Sequence, residues 1–360
     1  MSIIKGSLTF SQYRLEGELP ERFLDFAREK LNFFSFSTLN TAERRKTVGW
    51  TSTEDILDTS FQMDRFIKGD FLLFSLRIDQ KTISPSLLKI ETMKAEKRYL
   101  QETGKDRLYK EQKQDIRDRM QSFLLENTLA VPSFYDVCWS LSGKWLIFTS
   151  LAEAACLDFI SCFKDSFGFF PIPLSAEKLL EISGPSQAAE HALTDPQTIG
   201  REFMTWLWFK SEERNGFIAL PDQKEIELHF LRRLVLESGD KENSETVTCS
   251  GINTDLKEGK EALRQGKKIK EGRIRLRLDA DNWEFTFKAD PFSFQSMKLP
   301  ETLSMAEETD MDGRILERIY LIEKVTKIMN DLFALFLTIR RSHLWPDTEQ
   351  GRMKIWLQEQ

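Results

Sequence analysis

The stretch that decides the fold spans residues 81–127 and reads KTISPSLLKIETMKAEKRYLQETGKDRLYKEQKQDIRDRMQSFLLEN. Ser84 followed by Pro85 is a typical helix start, because serine caps the first turn and proline fits its first position. Nearly all the residues that follow are helix formers, interrupted only at Thr103-Gly104. We therefore predict two antiparallel helices of roughly 17 and 21 residues, each about 25–30 Å long.

The apolar stripe of each predicted helix is thin. Its members are Leu87, Ile90, Met93 and Leu100 on the first helix, and Leu108, Ile116, Met120 and Phe123 on the second. A helix pair that is polar on nearly all sides is more typical of a projecting arm than of a buried element. We therefore predict a helical hairpin arm over residues 84–127.

Mixed α and β patterns surround this hairpin. The predicted regions are a mixed α/β part over 1–80, a β-rich centre over 132–300 with hairpins at 135–150 and 273–288, a long helix over 314–341 and a tail over 342–360. This order favours an α+β fold over a doubly wound α/β fold.

The predicted C-terminal helix carries a seam with alternating four- and three-residue steps. Its members are Ile315, Ile319, Ile322, Thr326, Met329, Phe333 and Phe336. Such a seam packs either against a second copy of the helix or against the core of its own chain. We favour packing within the chain, because core-facing helices far outnumber coiled coils.

Composition excludes several classes of protein. Hydrophobic residues make up 41% of the 360 residues, which supports a packed core and excludes global disorder. No apolar run approaches the roughly 18 residues of a membrane helix, and no signal peptide is visible. The four cysteines and three histidines show no metal-ligand spacing, so we expect no metal, no cofactor and reduced thiols in a cytoplasmic protein.

The formal net charge of −6 argues against a uniformly basic nucleic-acid binder, yet the charge is unevenly distributed. Residues 81–119 contain eleven Lys or Arg against seven acids. Two rows share helix faces by spacing: Lys94, Lys97 and Arg98, then Lys110, Lys113 and Arg117. Such rows can follow a phosphate backbone, or they can be solvated faces with intrahelical pairs such as Asp115 with Arg119.

A second basic cluster lies at residues 264–277, where seven basic residues accompany one acid. Lys267, Lys268 and Lys270 occupy a glycine-flanked loop and have no acidic partner nearby in sequence. Arg273, Arg275 and Arg277 alternate along a predicted strand, which puts them on one face about 6.6 Å apart. The predicted hairpin register sets Arg277 opposite Glu284. Phosphate contact and structural pairing remain equal alternatives here.

Recognised catalytic motifs are scarce. The carboxylate pairs Asp279 with Asp281 and Asp310 with Asp312 could hold divalent ions in a nuclease. We favour local roles in the turn and at the helix start, because turns and caps select aspartate. The aromatic residues of 202–210, among them Trp206, could stack bases, but a core role is more typical.

The run Lys81-Thr82-Ile83-Ser84-Pro85-Ser86-Leu87-Leu88-Lys89, followed by a charged helical hairpin, resembles the bacterial recombination-associated protein RdgC family. Further landmarks occur in the same order over residues 45–340. They are Val48-Gly49-Trp50, Trp139, Phe167-Gly168, Pro171-Ile172-Pro173-Leu174, Asp255-Leu256 and Gly266-Lys267.

The resemblance implies one DNA-binding body over residues 1–345. In this family, horseshoe-shaped subunits with a protruding arm close into a ring-shaped dimer around double-stranded DNA. It implies a non-catalytic, cytoplasmic and nucleoid-associated protein that limits the access of the RecA recombinase to DNA. The implied DNA-contacting residues are Lys89, Lys94, Lys97, Arg98, Lys110, Lys113, Arg117, Lys267 and Lys268, to which the strand pattern adds Arg273, Arg275 and Arg277.

Two departures from the family pattern bear on these implications. The segment Thr128-Leu129-Ala130-Val131-Pro132 lacks the aromatic residue that can latch two subunits together, and Asn253-Thr254 replaces a basic-polar pair. The segment 201–237 and the tail exceed the shorter family members. The alternatives to DNA binding are a structural protein that binds a partner through the charged arm, and a metal-dependent exonuclease.

Overall fold

A large antiparallel β-sheet organises the protein in the computed structural model, which describes residues 2–37, 45–61, 65–182, 198–238, 245–251, 257–301 and 311–358. Its strands are β1 (Leu8–Leu15), β2 (Lys46–Ser52), β3 (Ile67–Lys68), β4 (Phe71–Gln80), β5 (Val131–Ser140), β6 (Trp145–Phe148), β7 (Pro171–Pro173), β8 (Phe217–Ala219), β9 (Glu225–Glu237), β10 (Thr246–Ser250), β11 (Lys268–Leu278), β12 (Asp281–Lys288) and β13 (Ser293–Lys298). The predicted α+β class is confirmed.

Helices accompany the sheet along the described part of the chain. They are α1 (Phe23–Phe33), α2 (Pro85–Thr103), α3 (Lys110–Glu126), α4 (Glu153–Phe167), α5 (Ala176–Ile182), α6 (Ile199–Glu212), α7 (Lys257–Arg264), α8 (Met311–Arg340) and α9 (Glu349–Gln358). The predicted hairpin is confirmed as α2 and α3, and the predicted long helix as α8.

Strand β1 joins the two halves of the sheet, whose order is β10-β9-β11-β12-β13-β1-β6-β5-β4-β2. Leu8 and Phe10 pair with β13, and the following residues pair with β6. The short strand β7 pairs only with the end of β1. Its two prolines, Pro171 and Pro173, fit this edge position because proline cannot donate a ladder hydrogen bond.

The half of the sheet that contains β4 and β5 is covered on both faces. Leu72 and Phe74 pack into a cluster with residues of α1 and α4, whereas Leu73 and Cys138 pack into the cluster that holds α8. This two-sided burial explains why β4 is a continuous apolar run instead of an alternating one.

The described residues cover the other half, formed by β9 to β13, on one face only. Ile274 and Leu276 of β11 are fully buried against the cluster of α6 and α8, while Arg275 and Arg277 are exposed. Alternation along β11 therefore sends one set of side chains into the core and the other to the open face. This open face carries Arg273, Arg275 and Arg277 of the second basic cluster.

Helix α8 packs inside its own chain, as predicted. Six of the seven seam residues are buried and Thr326 is half-buried. Phe333 contacts Phe203 of α6 with ring centroids 5.1 Å apart. Trp206, also on α6, is fully buried, so the core role predicted for the aromatic segment is confirmed.

The residues after Arg341, which we expected to form a tail, instead contribute to the core. Trp356 of α9 is buried and lies 5.1 Å from Trp208 of α6, ring centroid to centroid. Glu349 accepts a buried hydrogen bond from Nε1 of Trp206 at 3.0 Å. Sequence inspection missed this helix because its three buried residues form no long periodic stripe.

Candidate nucleic-acid interface

The helical hairpin is built from local signals at its ends. Pro85 occupies the first turn of α2, and Gly104 ends it in the left-handed conformation with φ of 64°, which glycine adopts without strain. The N–H of Tyr109 donates to Oε1 of Gln112 at 3.1 Å and so closes the start of α3. Within α2 and α3, Ile116 alone is buried, so the hairpin is held by a thin seam.

Most cations of the hairpin are exposed and form no ion pair with the described part of the chain. Lys94 is the exception, because its Nζ lies 2.8 Å from Oε1 of Glu91. The exposed cations that lack such a pair are Lys89, Lys97, Arg98, Lys105, Arg107, Lys110, Lys113, Arg117 and Arg119. The intrahelical pair expected between Asp115 and Arg119 does not form. The positive charge of this hairpin is therefore largely available to a ligand.

A groove of about 520 Å³ runs between the two helices. Lys110, Lys113 and Arg117 line it from α3, while Thr92 and Glu96 line it from α2. Lys89 precedes Thr92 by three residues and so lies on the same side of α2. The three cations of the α3 row and Lys89 therefore share one side of the hairpin.

The predicted row on α2, which consists of Lys94, Lys97 and Arg98, faces a different direction. At about 100° per residue, Lys94 and Lys97 lie roughly 160° and 140° around the helix from Thr92. The structure consequently does not bring the two predicted rows together in the groove. One row borders the groove, and the other points away from α3.

On the open face of the sheet, the arginines of β11 lie beside carboxylates of the two neighbouring strands, β9 and β12. Arg275 lies opposite Glu284 of β12, and Arg277 lies opposite Asn282. The predicted pairing of Arg277 with Glu284 is therefore wrong by two residues. The cause is the turn, which consists of Asp279 and Ala280, whereas we predicted a turn around Ala280-Asp281.

Arg273 is engaged structurally. Its guanidinium donates to Oε1 of Glu284 at 2.9 Å and to the carbonyl of Ser296 at 3.1 Å. The hydrogen bond from Arg273 holds the pKa of the Glu284 carboxyl below its usual value. Arg277 lies 3.8 Å from Glu227, whereas Arg275 is exposed and forms no ion pair with the described residues. Of the three arginines, Arg275 is the most available to a ligand.

The prediction that Lys267, Lys268 and Lys270 occupy a loop is wrong for two of them, because Lys268 and Lys270 belong to strand β11. Two of the three lysines have distant partners. Nζ of Lys267 lies 2.7 Å from Glu245, and Nζ of Lys270 lies 2.8 Å from Glu237. Neither partner is near in sequence, because Glu237 belongs to strand β9 and Glu245 to the segment before β10. Lys267 is also buried at 9% exposure, and Lys268 is half-buried without an ion pair to a described residue.

A basic pocket at the base of the hairpin was missed by sequence inspection. Arg45, Lys46 and Lys81 line it together with Gln121 of α3. Lys46 forms an ion pair with Asp158, and Nζ of Lys81 donates to the carbonyl of Glu126 at 3.4 Å. The adjacent basic residues before Val48 were the available signal, but only the fold brings them beside the arm.

The predicted local roles of the candidate nuclease carboxylates fit Asp279 alone, because Asp281 and Asp312 pair with lysines that are distant in sequence. Asp281 lies 2.6 Å from Lys324, and Asp279 sits in the turn with φ of 56°. Asp312 lies within the first turn of α8 and not at its cap, and it bonds Lys68 at 2.6 Å. Asp310 lies outside the described residues, as do Asn253-Thr254 and Asp255-Leu256. In the described ranges, no group of three or more His, Cys, Asp or Glu could hold a metal ion.

Comparison with known proteins leaves the family resemblance as a prediction. No family model matches the chain, and no curated protein matches it. Across the described ranges, no helix has both the length and the apolar character needed to cross a membrane.

Proposed function

We propose that the protein binds double-stranded DNA without sequence preference, through the basic side of the α2–α3 hairpin. The observation that carries this proposal is the row of exposed cations that lack ion pairs in the described part of the chain, in particular Lys110, Lys113 and Arg117 beside the groove. Cations of this kind contact phosphates and release counterions, which gives affinity without base reading.

The distribution of charge supports the same proposal. Residues 81–119 carry a net +4 and residues 264–277 a net +6, so the remaining chain carries −16 within the total of −6. The acidic remainder of the chain repels DNA, so contact at the two basic segments is favoured. Ion pairs to Glu245, Glu237 and Glu284 reduce the positive charge that the second segment can offer to DNA. The hairpin is therefore the stronger contact.

We further propose that two horseshoe-shaped subunits close into a ring-shaped dimer around the duplex, with the hairpin as a protruding arm. Exposed apolar residues where the hairpin meets β5 support a subunit contact there. Leu129 is 87% exposed and Val131 is 57% exposed, although both are apolar. They lie in the segment that lacks the aromatic latch, so aliphatic contacts take its place.

A ring on DNA limits the access of RecA by occupying the duplex, and this is the regulatory role that we propose. The protein acts as a binding protein in the nucleoid and not as an enzyme. The described carboxylates support this assignment because Asp279 forms a turn and Asp281 and Asp312 are engaged by lysines.

The test compares linear and closed circular duplexes of the same sequence, with the solution mass measured in parallel. We expect a dimer of about 84 kDa, twice the 42.1 kDa chain. A ring should stay on the closed circle after a high-salt challenge and slide off the linear duplex. A monomer, or equal release from both duplexes, contradicts the ring.

A second candidate function rests on the apolar stripe of α2. Leu87, Ile90 and Met93 are 43%, 51% and 58% exposed and follow one another at three-residue steps. A charged arm with such a stripe can bind a partner protein instead of DNA. Substitution of Ile90 by serine should then abolish partner binding, while DNA binding by the variant stays unchanged.

A further inference from the structure

A cavity of about 730 Å³ lies between helix α8 and the sheet, away from every cation of the hairpin. Strands β1 and β6 form one wall and α8 the opposite wall. Helix α5 and the turn at 220–224 border the cavity. Its volume falls in the range of about 300–1,000 Å³ that is typical of small-molecule sites.

The lining of this cavity is mainly apolar. Its principal apolar members are Trp145, Ile147, Leu174, Leu179, Leu278 and Ile328. Ile147, Leu278 and Ile328 are nearly fully buried, so they form a fixed floor. Such a surface favours a flat or compact apolar group that displaces water.

Three polar side chains of this lining carry buried atoms without hydrogen-bond partners. Gln12 is only 7% exposed, yet its Nε2 has no hydrogen-bond partner among the described residues. Oδ1 of Asn330 and Oγ1 of Thr326, on the facing helix, likewise have none. A buried polar group left unsatisfied costs about 1–3 kcal/mol, so a ligand that bonds these side chains is favoured.

The cavity mouth carries charge of both signs. Lys224 pairs with Asp222 at 3.2 Å and Lys327 with Asp331 at 2.8 Å, which neutralises these lysines. Arg14 and Lys144 at the mouth are exposed, and neither forms an ion pair with a described residue. A negative group of a ligand would therefore lie beside Arg14 and the neighbouring Lys144.

The half-buried carboxyl of Glu323 also lines the cavity, and no described cation pairs with it. A carboxylate inside the cavity repels an anion placed there. The interior therefore selects an uncharged ligand body, with the negative group outside it.

We propose that this cavity binds a nucleotide-like ligand, in which a heteroaromatic ring occupies the apolar interior and an anionic group meets Arg14. Glutamine and asparagine side chains pair with the donor and acceptor edge of a purine, as they do in base recognition. An acyl chain fills the same volume but leaves Gln12 and Asn330 unsatisfied. The inference is independent of the DNA-binding proposal, because none of the hairpin cations lines the cavity.

Titration calorimetry and thermal unfolding with adenosine monophosphate, guanosine monophosphate and decanoate test this inference. We expect at least one nucleotide to bind and to raise the melting temperature, with decanoate ineffective. The variants Gln12→Leu and Asn330→Leu should lose about tenfold in nucleotide affinity, as expected for one hydrogen bond of about 1.4 kcal/mol. Circular dichroism confirms that each variant folds.

Further controls separate the cavity from the arm and from general destabilisation. Leu179→Trp fills the cavity from the half-buried face of α5 and should abolish nucleotide binding. The arm variant with Lys110, Lys113 and Arg117 replaced by glutamine should bind the nucleotide normally. Tighter binding of decanoate than of nucleotides, no binding of either, or equal binding by Leu179→Trp would each overturn the inference.

Discussion

The ammonium group of Lys267 lies 2.7 Å from Oε2 of Glu245, and the lysine is buried at 9% exposure. This pair shows that the denser basic cluster of the chain is partly a structural network. Lys270 with Glu237 and Arg273 with Glu284 are two further ion pairs of this cluster. The less dense cluster on the hairpin keeps more of its charge available.

The first prediction concerns DNA affinity at the sheet face. Lys267→Gln should leave the affinity for duplex DNA unchanged, because its charge is buried and paired. Arg275→Gln should weaken binding, because Arg275 is exposed and has no ion pair among the described residues. Fluorescence anisotropy with a labelled duplex measures both. A larger loss for Lys267→Gln than for Arg275→Gln contradicts this assignment.

The second prediction concerns acid stability. The hydrogen bond from Lys270, together with the charge of Arg201, lowers the pKa of Glu237 below its ordinary value of 4.5. A carboxyl whose pKa is lowered in the folded protein contributes its full stabilisation at pH values above its ordinary pKa. This contribution is lost as the pH falls through the lowered pKa. Glu237→Gln should therefore be less stable at neutral pH and lose less stability on acidification.

Urea unfolding between about pH 3 and pH 7 measures this difference in slope. Glu225→Gln, an exposed position on the same strand, is the control and should follow the parent protein. Parallel pH profiles for Glu237→Gln and the parent would show that the network adds no acid-sensitive stability.

The third prediction separates a buried hydrogen bond from aromatic packing. Trp206 and Trp283 are both fully buried, but Nε1 of Trp206 donates to Glu349, whereas Nε1 of Trp283 has no partner in the described part of the chain. Trp206→Phe should be more destabilising than Trp283→Phe by roughly 0.5–1.5 kcal/mol, because it removes one buried hydrogen bond to Oε2 of Glu349, which then keeps only Lys210 at 2.8 Å. Equal losses in denaturant midpoint would mean that the hydrogen bond from Trp206 adds no stability.

The fourth prediction asks which side of the hairpin faces DNA. Replacing Lys110, Lys113 and Arg117 by glutamine removes three charges beside the groove. Replacing Lys94, Lys97 and Arg98 removes three from other sides of α2. We expect the groove variant to weaken duplex binding about tenfold more, which corresponds to about 1.4 kcal/mol. Its three cations lie together on one side of the hairpin and have no ion pair among the described residues, whereas Lys94 is paired with Glu91.

The two triple variants lose the same number of positive charges, so a difference between them reports the position of those charges. Equal losses would show that binding follows net charge only, and a larger loss for the α2 row would place DNA on the opposite side. Glu96→Gln removes the carboxylate that lines the groove and should strengthen binding.

Much of the fold follows from local sequence signals. Ser84 with Pro85 marks the start of α2, and the alternation of Arg273, Arg275 and Arg277 places them on one open strand face. The hairpin register did not follow, because the turn at Asp279 and Ala280 differs by one residue at each end from the predicted turn. A shift of two residues changes which carboxylate faces which arginine.

The candidate site was less predictable than the fold for a related reason. The acid that pairs with Lys267 lies 22 residues away and the one that pairs with Lys270 lies 33 residues away. No local pattern reveals such pairs, because strand pairing alone brings them together. The side of each helix that borders the groove likewise depends on how α2 packs against α3.

The salt dependence of duplex binding tests DNA binding through the hairpin most directly. The measurement is anisotropy of a labelled duplex, titrated with the parent protein at increasing salt. We predict a linear fall of log affinity with log salt for the parent protein. In the variant with Lys110, Lys113 and Arg117 replaced by glutamine, the slope should be shallower by about 0.9 for each phosphate that the protein no longer neutralises. Absence of binding at low salt, or an affinity that does not change with salt, would contradict DNA binding by these cations.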